Sequence, residues 1–302
     1  MNSKLVLLAG LAGVLLGGPV AGLQAEIRRD IEYGSEGGER LLLDVNVPEG
    51  TGPFPIAILV HGGGWTGGDK SGGAKPNDGA DITPWFAPLT AAKFTWFSIN
   101  YRLAPQHRWP AQFEDVKTAI RWVKAHGAEF KGDPARIAIF GHSSGGHLVT
   151  LAATEKNPDV RVQAVVGFAA VTDLEADLER RGGVSGVLKS FFGRVEEMNP
   201  ESRATLRELS PINHVHAGIP PVLLVHGDAD KSVPLAQSLA FQSRLKGAGV
   251  PCDLIVLPGA PHRLTEWEKS DPDHAHRWID WLQRTLARGT PEAAHPSPTV
   301  SP

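Results

Sequence analysis

The chain has one cysteine in 302 residues, Cys252, which excludes an internal disulfide. That residue opens a predicted strand, where a buried thiol is inert rather than nucleophilic. Net charge is also scarce: 30 Lys and Arg against 33 Asp and Glu leave −3 at pH 7. No broad basic field is available for nucleic acid or anionic lipid. The N-terminal apolar stretch, Leu5 to Leu16, is short for a bilayer core and no stop-transfer flank follows it. No repeat period is visible, and the short stretch before the first buried strand cannot build the blades of a propeller. With 41% hydrophobic and 21% charged residues, the composition fits one α/β domain with a substantial core.

Met1-Asn2-Ser3-Lys4, the apolar stretch and the small and helix-breaking residues through Ala25 read as a secretory leader over 1–25. This predicts a periplasmic or secreted protein with no stable membrane insertion once the leader is removed. Residues 26–288 form the predicted folded domain. Residues 26–47 suggest an antiparallel hairpin turning near Ser35-Glu36-Gly37-Gly38, and strands recur near 54, 94, 136, 162, 221 and 252. Helical patterns lie between them, as in Phe113 to Phe130 and Leu235 to Leu245, and this alternation predicts a mostly parallel sheet.

Two long connections, Ser71 to Pro84 and 172–211, interrupt the rhythm and could both cover a site. Leu188, Phe191, Phe192 and Val195 in the second either line a pocket or form that insertion's own core. Asp271-Pro272-Asp273-His274-Ala275-His276 has acids and histidines, but reads as a helix start with Asp271 as cap and Pro272 in the first turn. No metal site is expected. The Pro-, Ser-, Thr- and Ala-rich tail, 289–302, reads as disordered.

Arg136-Ile137-Ala138-Ile139-Phe140 is a buried-strand run, and His147 to Ala152 has a helical pattern. Between them lies Gly141-His142-Ser143-Ser144-Gly145, a sharp strand-to-helix turn that needs small flanking residues and exposes Ser143 Oγ at a helix N-terminus. Unpaired N–H groups and the positive helix end favour an oxyanion there, so the chemistry indicated is acyl transfer. Upstream, Phe54 to Val60 runs directly into His61-Gly62-Gly63-Gly64-Trp65, where three glycines leave backbone N–H groups unobstructed. Downstream, Pro221 to Val225 ends in His226-Gly227-Asp228-Ala229-Asp230, offering two acids at a strand's C-terminal end. After the run Cys252 to Leu257 comes Gly259-Ala260-Pro261-His262, which places His262 as a general base. His61, His226, His142 and His147 read as residues that hold loops or shape the turn, and Tyr101, Arg102, Asp115 and Asp133 as structural polar groups. Arg180 and Arg181 read as a solvated helix face.

These blocks, together with Gly68-Asp69-Lys70, Asn100 to Pro105, Trp109 to Asp115 and Gly132 to Ile137, resemble the α/β-hydrolase superfamily. The chain is similar to its hormone-sensitive-lipase-like esterases and to the related bacterial feruloyl-esterase-like group over roughly residues 26–287. Having His142-Ser143-Ser144-Gly145-Gly146, where the first branch usually has D-S-A-G-G, draws it toward the second. The resemblance implies an eight-stranded, mostly parallel sheet with helices on both faces and a short cap, 172–211, between strands six and seven. It also implies a triad in the order Ser143, Asp230, His262, with oxyanion donors at Gly63, Gly64 and Ser144. Asp230 is preferred to Asp228 because its spacing to Val233-Pro234 is similar to the H-G-x-x-D-x-x-V-P pattern; Asp228 is then a turn former.

The expected activity is a serine carboxylesterase acting, without cofactor, on small or carbohydrate esters such as acetyl or feruloyl esters. An arylformamidase-like amide hydrolase and a lipase for longer chains are alternatives from the same chemistry. A non-enzymatic receptor on this scaffold would have lost the serine or histidine, and both are present.

Overall fold

The computed structural model describes residues 25–73, 80–193 and 199–287. The leader up to residue 24, the tail, Val195 and part of the Ser71–Pro84 connection lie outside the described residues.

Along the chain the elements are β1 (Glu26–Glu36), β2 (Glu39–Val47), β3 (Phe54–Val60), α1 (Phe86–Ala91), β4 (Thr95–Ile99), α2 (Ala111–His126), β5 (Gly132–His142) and α3 (Ser144–Ala153). Then follow β6 (Ala164–Phe168), α4 (Leu174–Arg181), α5 (Gly186–Phe192), α6 (Pro200–Glu208), β7 (Val222–Gly227), α7 (Ala236–Gly247), β8 (Cys252–Leu257), α8 (Trp267–Ser270) and α9 (His274–Ala287). The eight strands form one sheet in the order β1-β2-β4-β3-β5-β6-β7-β8. The β1–β2 and β2–β4 pairs are antiparallel and the other five are parallel. The fold is the α/β-hydrolase fold that the resemblance implies, and its mostly parallel sheet is the one the strand and helix alternation predicts.

Why helices cover both faces follows from the strand period of two. In β3, Ile56, Ile58 and Val60 join the core beneath α2, α3 and α7, with Val116, Ile120, Val149, Phe241 and Leu245. Ala57 and Leu59 point the other way, into the core beneath α1 and α9, with Trp85, Leu89, Trp278 and Leu282. Both faces of the strand are therefore dry, which explains its uninterrupted apolar run. In α9, Trp278, Ile279, Trp281, Leu282 and Leu286 form the buried stripe.

That helix starts later than its sequence suggests. Asp271 Oδ1 accepts the Asp273 N–H at 3.0 Å and its carbonyl accepts the His274 N–H at 3.2 Å, making a turn that spends Asp271 before the helix begins at His274.

The sheet order reverses at β3, which has β4 on one side and β5 on the other. The loops after β3 and β5 leave in opposite directions there and open a crevice at the strands' C-terminal ends. Those loops are the glycine triplet and the serine turn. The loops after β7 and β8 carry Asp230 and His262 to the same edge. Between β6 and β7, α4, α5 and α6 stand over it.

Candidate active site

Ser143 has φ 54° and ψ −116°, a positive-φ conformation that a side chain tolerates poorly. It is held there from both sides. The Ser143 N–H donates to the Phe168 carbonyl at 3.0 Å, and the Ser143 carbonyl accepts the His147 N–H at 3.0 Å. The approach of neighbouring backbone leaves no room for larger residues: a Cβ on Gly141 would lie 2.2 Å from the Gly145 oxygen, and one on Gly145 would lie 2.4 Å from both the Val60 and His61 oxygens. Strand, turn and the glycine loop after β3 are thus locked together by glycine contacts.

The loop after β3 reaches the serine directly. A Cβ on Gly62 would sit 3.3 Å from Ser143 Cβ, and Gly63 has φ +103°. The Gly63 carbonyl accepts the Thr66 and Gly67 N–H groups, closing a tight turn. Among the described residues no acceptor takes the N–H of Gly63, Gly64 or Ser144. Ser144 is the first residue of α3, so its N–H has no partner within the helix. His61 stacks on Tyr101 at 4.3 Å, and the Tyr101 hydroxyl donates to the His61 and Gly62 carbonyls at 3.1 and 3.3 Å. Burial drives the Tyr101 hydroxyl well above its ordinary pKa, so it stays a donor.

Asp230 and His262 are joined. His262 Nδ1–H donates to Asp230 Oδ2 at 2.7 Å, and Oδ1 accepts the Ser232 and Val233 N–H groups at 2.8 and 2.9 Å. Burial alone would raise the Asp230 pKa. Hydrogen bonding from His226 and His262, the His262 charge and the Val233 N–H outweigh it and hold the carboxyl well below the usual range. His226 Nε2 lies 3.5 Å from Oδ2 while donating at 2.8 Å to the Val233 carbonyl, so it fixes the loop around the acid. Of the two acids after β7, Asp230 is the one bonded to the His262 imidazole.

Asp228 departs from its expected role as a former of its own turn. Its Oδ1 accepts the Gly259 N–H at 2.7 Å, tying the β7 loop to the loop that carries His262.

His142 links that loop to the serine turn. Its Nε2–H donates to the His262 carbonyl at 2.9 Å, and the two rings lie 4.7 Å apart. Burial lowers the His142 pKa to about 3, and the nearby His262 charge pushes the same way. It therefore stays neutral beside the histidine that would become charged. His147, buried in α3, donates from Nε2 to the Leu209 carbonyl at 2.9 Å, and burial lowers its pKa to about 4. Neither histidine has a proton-transfer geometry to an exposed group.

A cavity of about 170 Å³ opens over Ser143, lined by Gly64, Trp65, Ser144, Val171, Val187, Leu188 and Val233, with Asp177, Arg181, Ser185 and Ser232 on one wall. Of the cap residues considered from sequence, Leu188 lines it. Phe191 instead stacks on Trp65 at 4.4 Å, and Phe191 and Phe192 are buried core. Val187 and the polar wall were not legible in sequence. Val187 is 41% exposed, so it lies outside the apolar stripe by which helices are read.

Arg180 and Arg181 lie exposed beside a neighbouring acid, as the sequence suggests, and both pair with Asp177; beyond that expectation, both also donate to the Ser232 carbonyl. Among the described residues no three His, Cys, Asp or Glu side chains converge as a metal-ligand set.

The BD-FAE family model matches residues 43–245. Esterase LipC of Mycobacterium tuberculosis is 35% identical over 253 residues, 78% of this chain and 59% of LipC. The probable carboxylic ester hydrolase LipM of the same organism is 34% identical over 248 residues, 77% of this chain and 55% of LipM. The chain thus spans somewhat more than half the length of these curated relatives. Among solved structures, an acetyl ester-xyloside bifunctional hydrolase from Caldicellulosiruptor lactoaceticus superposes with TM-score 0.70 at 25% identity, covering 84% of this chain and 95% of that one. A truncated carbohydrate esterase from gut microbiota gives TM-score 0.67 at 26% identity, covering 89% and 99%.

Proposed function

We propose, from the premise that the chain belongs to the BD-FAE family of α/β-hydrolases, that it is a serine carboxylesterase for short acyl esters, with acetylated carbohydrate the favoured substrate class. The observation that carries this reading is the small cavity at Ser143, whose lining includes Gly64 and Ser144, with unpaired N–H groups, and the polar Asp177, Arg181, Ser185 and Ser232.

In the proposed reaction Ser143 Oγ attacks the ester carbonyl while His262 Nε2 takes its proton. The Nδ1–H bond to Asp230 fixes the tautomer and stabilises the imidazolium. The developing oxyanion would be met by the N–H groups of Gly63, Gly64 and Ser144, worth several kcal/mol in a dry site, at about 3–4 per donor lost in comparable enzymes. His262 returns the proton to the leaving alcohol, and a water activated by the same imidazole then hydrolyses the acyl-serine.

Size argues for short acyl groups. Pockets for drug-sized ligands run from about 300 to 1,000 Å³, and this one is about 170 Å³. Acetyl or propionyl groups fit that space without moving the cap, whereas a long alkyl chain would have to displace Val187 and Leu188. The acetyl ester-xyloside hydrolase and the carbohydrate esterase among the structural relatives favour a sugar as the alcohol. Feruloyl esters are the bulkier option within the same class. Export to the periplasm or medium rests on the N-terminal leader.

The test is initial-rate hydrolysis of p-nitrophenyl acetate, butyrate, octanoate and laurate beside methyl ferulate and acetylated xylan, with Ser143→Ala as control. Serine-dependent rates that fall with chain length support the reading. An optimum at laurate would make the protein a lipase, and activity only on an N-formylanilide would make it an amide hydrolase.

A further inference from the structure

We infer that Arg180 and Arg181, in the last turn of α4, are positioning residues for Asp230: through the Ser232 carbonyl they hold the loop that aims the carboxylate at His262. The inference rests on the serine-esterase reading of the site.

Asp230 is buried, yet Asp228, Ala229, Lys231 and Ser232 around it are exposed. The two N–H groups that fix Oδ1, and so turn Oδ2 toward His262, belong to Ser232 and Val233. One of the carboxylate's two anchors is thus a peptide in an exposed stretch, which drifts unless its other side is held. Its carbonyl is held by two guanidinium groups: Arg180 Nη2 and Arg181 Nη2 each donate to the Ser232 oxygen at 3.1 Å.

The arginines are themselves preorganised. Asp177, three and four residues earlier on the same helix, accepts from Arg180 at 2.7 Å and from Arg181 at 2.6 Å, and its side chain is only 11% exposed. A surface ion pair contributes little by itself. Here the pairs aim two planar donors at one carbonyl, which is a geometric function.

A second tether secures the other end of the helix. Gln237 Oε1 accepts the Thr172 and Asp173 N–H groups at 2.8 and 2.7 Å, just before α4, and its Nε2 donates to the Asp173 carbonyl. The cap helix is therefore bound at both ends to the segment that follows Asp230. Asp177, Arg181 and Ser232 also form the polar wall of the cavity over Ser143. The same residues that shape the substrate's surroundings hold the acid.

The experiment compares wild type, Arg180→Met/Arg181→Met and Arg181→Lys by p-nitrophenyl acetate kinetics and by proton NMR of the downfield His262 Nδ1–H, with thermal unfolding to confirm folding. Misplacement of a catalytic group by a fraction of an ångström to 1 Å costs on the order of 10- to 100-fold. The double variant should lose that factor in kcat and show a shifted or broadened His262 resonance; Arg180→Met alone, whose side chain does not line the cavity, should lose part of kcat with KM nearly unchanged. Arg181→Lys should recover part of both. If the double variant does not fold, Arg180→Met carries the same test with a smaller loss. A folded double variant with wild-type kcat and an unmoved resonance overturns the proposal. Ser143→Ala should abolish turnover while keeping the resonance. The NMR comparison therefore tests the clamp even if the esterase reading fails.

Discussion

Replacing Ser143 by glycine should inactivate the protein and stabilise it, and the size of the effect follows from one backbone angle pair. At φ 54° and ψ −116° the serine Cβ is strained, at a cost of about 1–3 kcal/mol. Glycine removes that strain. Against it stand the greater freedom of an unfolded glycine, about 0.5–1 kcal/mol, and the lost packing of a half-buried carbon, under about 0.8 kcal/mol. The net is a stabilisation of about 1 kcal/mol. Ser143→Ala is the control, because it removes the hydroxyl but keeps the Cβ and hence the strain. Urea unfolding should show a higher midpoint for Ser143→Gly than for Ser143→Ala at equal m, and Tm should rise by roughly 2–4 °C. A glycine variant no more stable than the alanine variant would show that the serine turn stores no strain.

The buried histidines predict the acid limb of stability. His142 and His147 have folded pKa values lowered from 6.5 to about 3 and about 4. Above pH 6.5 both are neutral in either state. As pH falls the unfolded chain gains protons that the folded chain refuses, so stability declines between pH 6.5 and about 4, by up to about 1.4 kcal/mol per pH unit for each histidine. His147→Gln should flatten that slope in urea unfolding at pH 7 and 5; an unchanged slope refutes the assignment. Asp230→Asn should lower kcat by about 10⁴-fold with the fold intact, through loss of the His262 tautomer, and a loss below ten-fold would remove Asp230 from its role. Gly145→Ala places a Cβ 2.4 Å from two backbone oxygens that cannot move aside, so it should express poorly or unfold at markedly lower urea; wild-type stability would contradict the locked contact of turn and loop. Cys252, whose thiol is pushed up to about 12 chiefly by burial, should react with a disulfide reagent only after unfolding.

What was legible in the sequence is what the backbone writes in small residues and apolar runs. The Gly141–Gly145 turn and the Gly62–Gly64 triplet are readable because strained dihedrals and close backbone approach leave few residue choices. Strands such as Phe54–Val60 are readable because both their faces are dry. The interactions that tune the site are different in kind. Arg180 and Arg181 carry charges that a sequence reader assigns to solvent, and only the fold reveals that the Ser232 carbonyl, about fifty positions away, lies within reach. Asp228 is an ordinary turn acid until β8 pairs beside β7 and brings the Gly259 N–H to it. The start of α9 differs from the one the sequence suggests because Asp271 closes a turn of its own before the helix begins at His274.

The cap explains how so small an insertion can serve a complete site. Phe191 stacks on Trp65 at the end of the glycine triplet, while Arg180 and Arg181 hold the loop of Asp230. Two consecutive short helices, α5 and α4, therefore bear on the glycine loop and on the loop of Asp230 respectively. A substrate that fits beneath Val187 and Leu188 leaves both in place. One that lifts the cap loosens oxyanion donors and acid together, so chain-length selectivity should appear in kcat as well as in KM, because the groups being displaced act in the transition state.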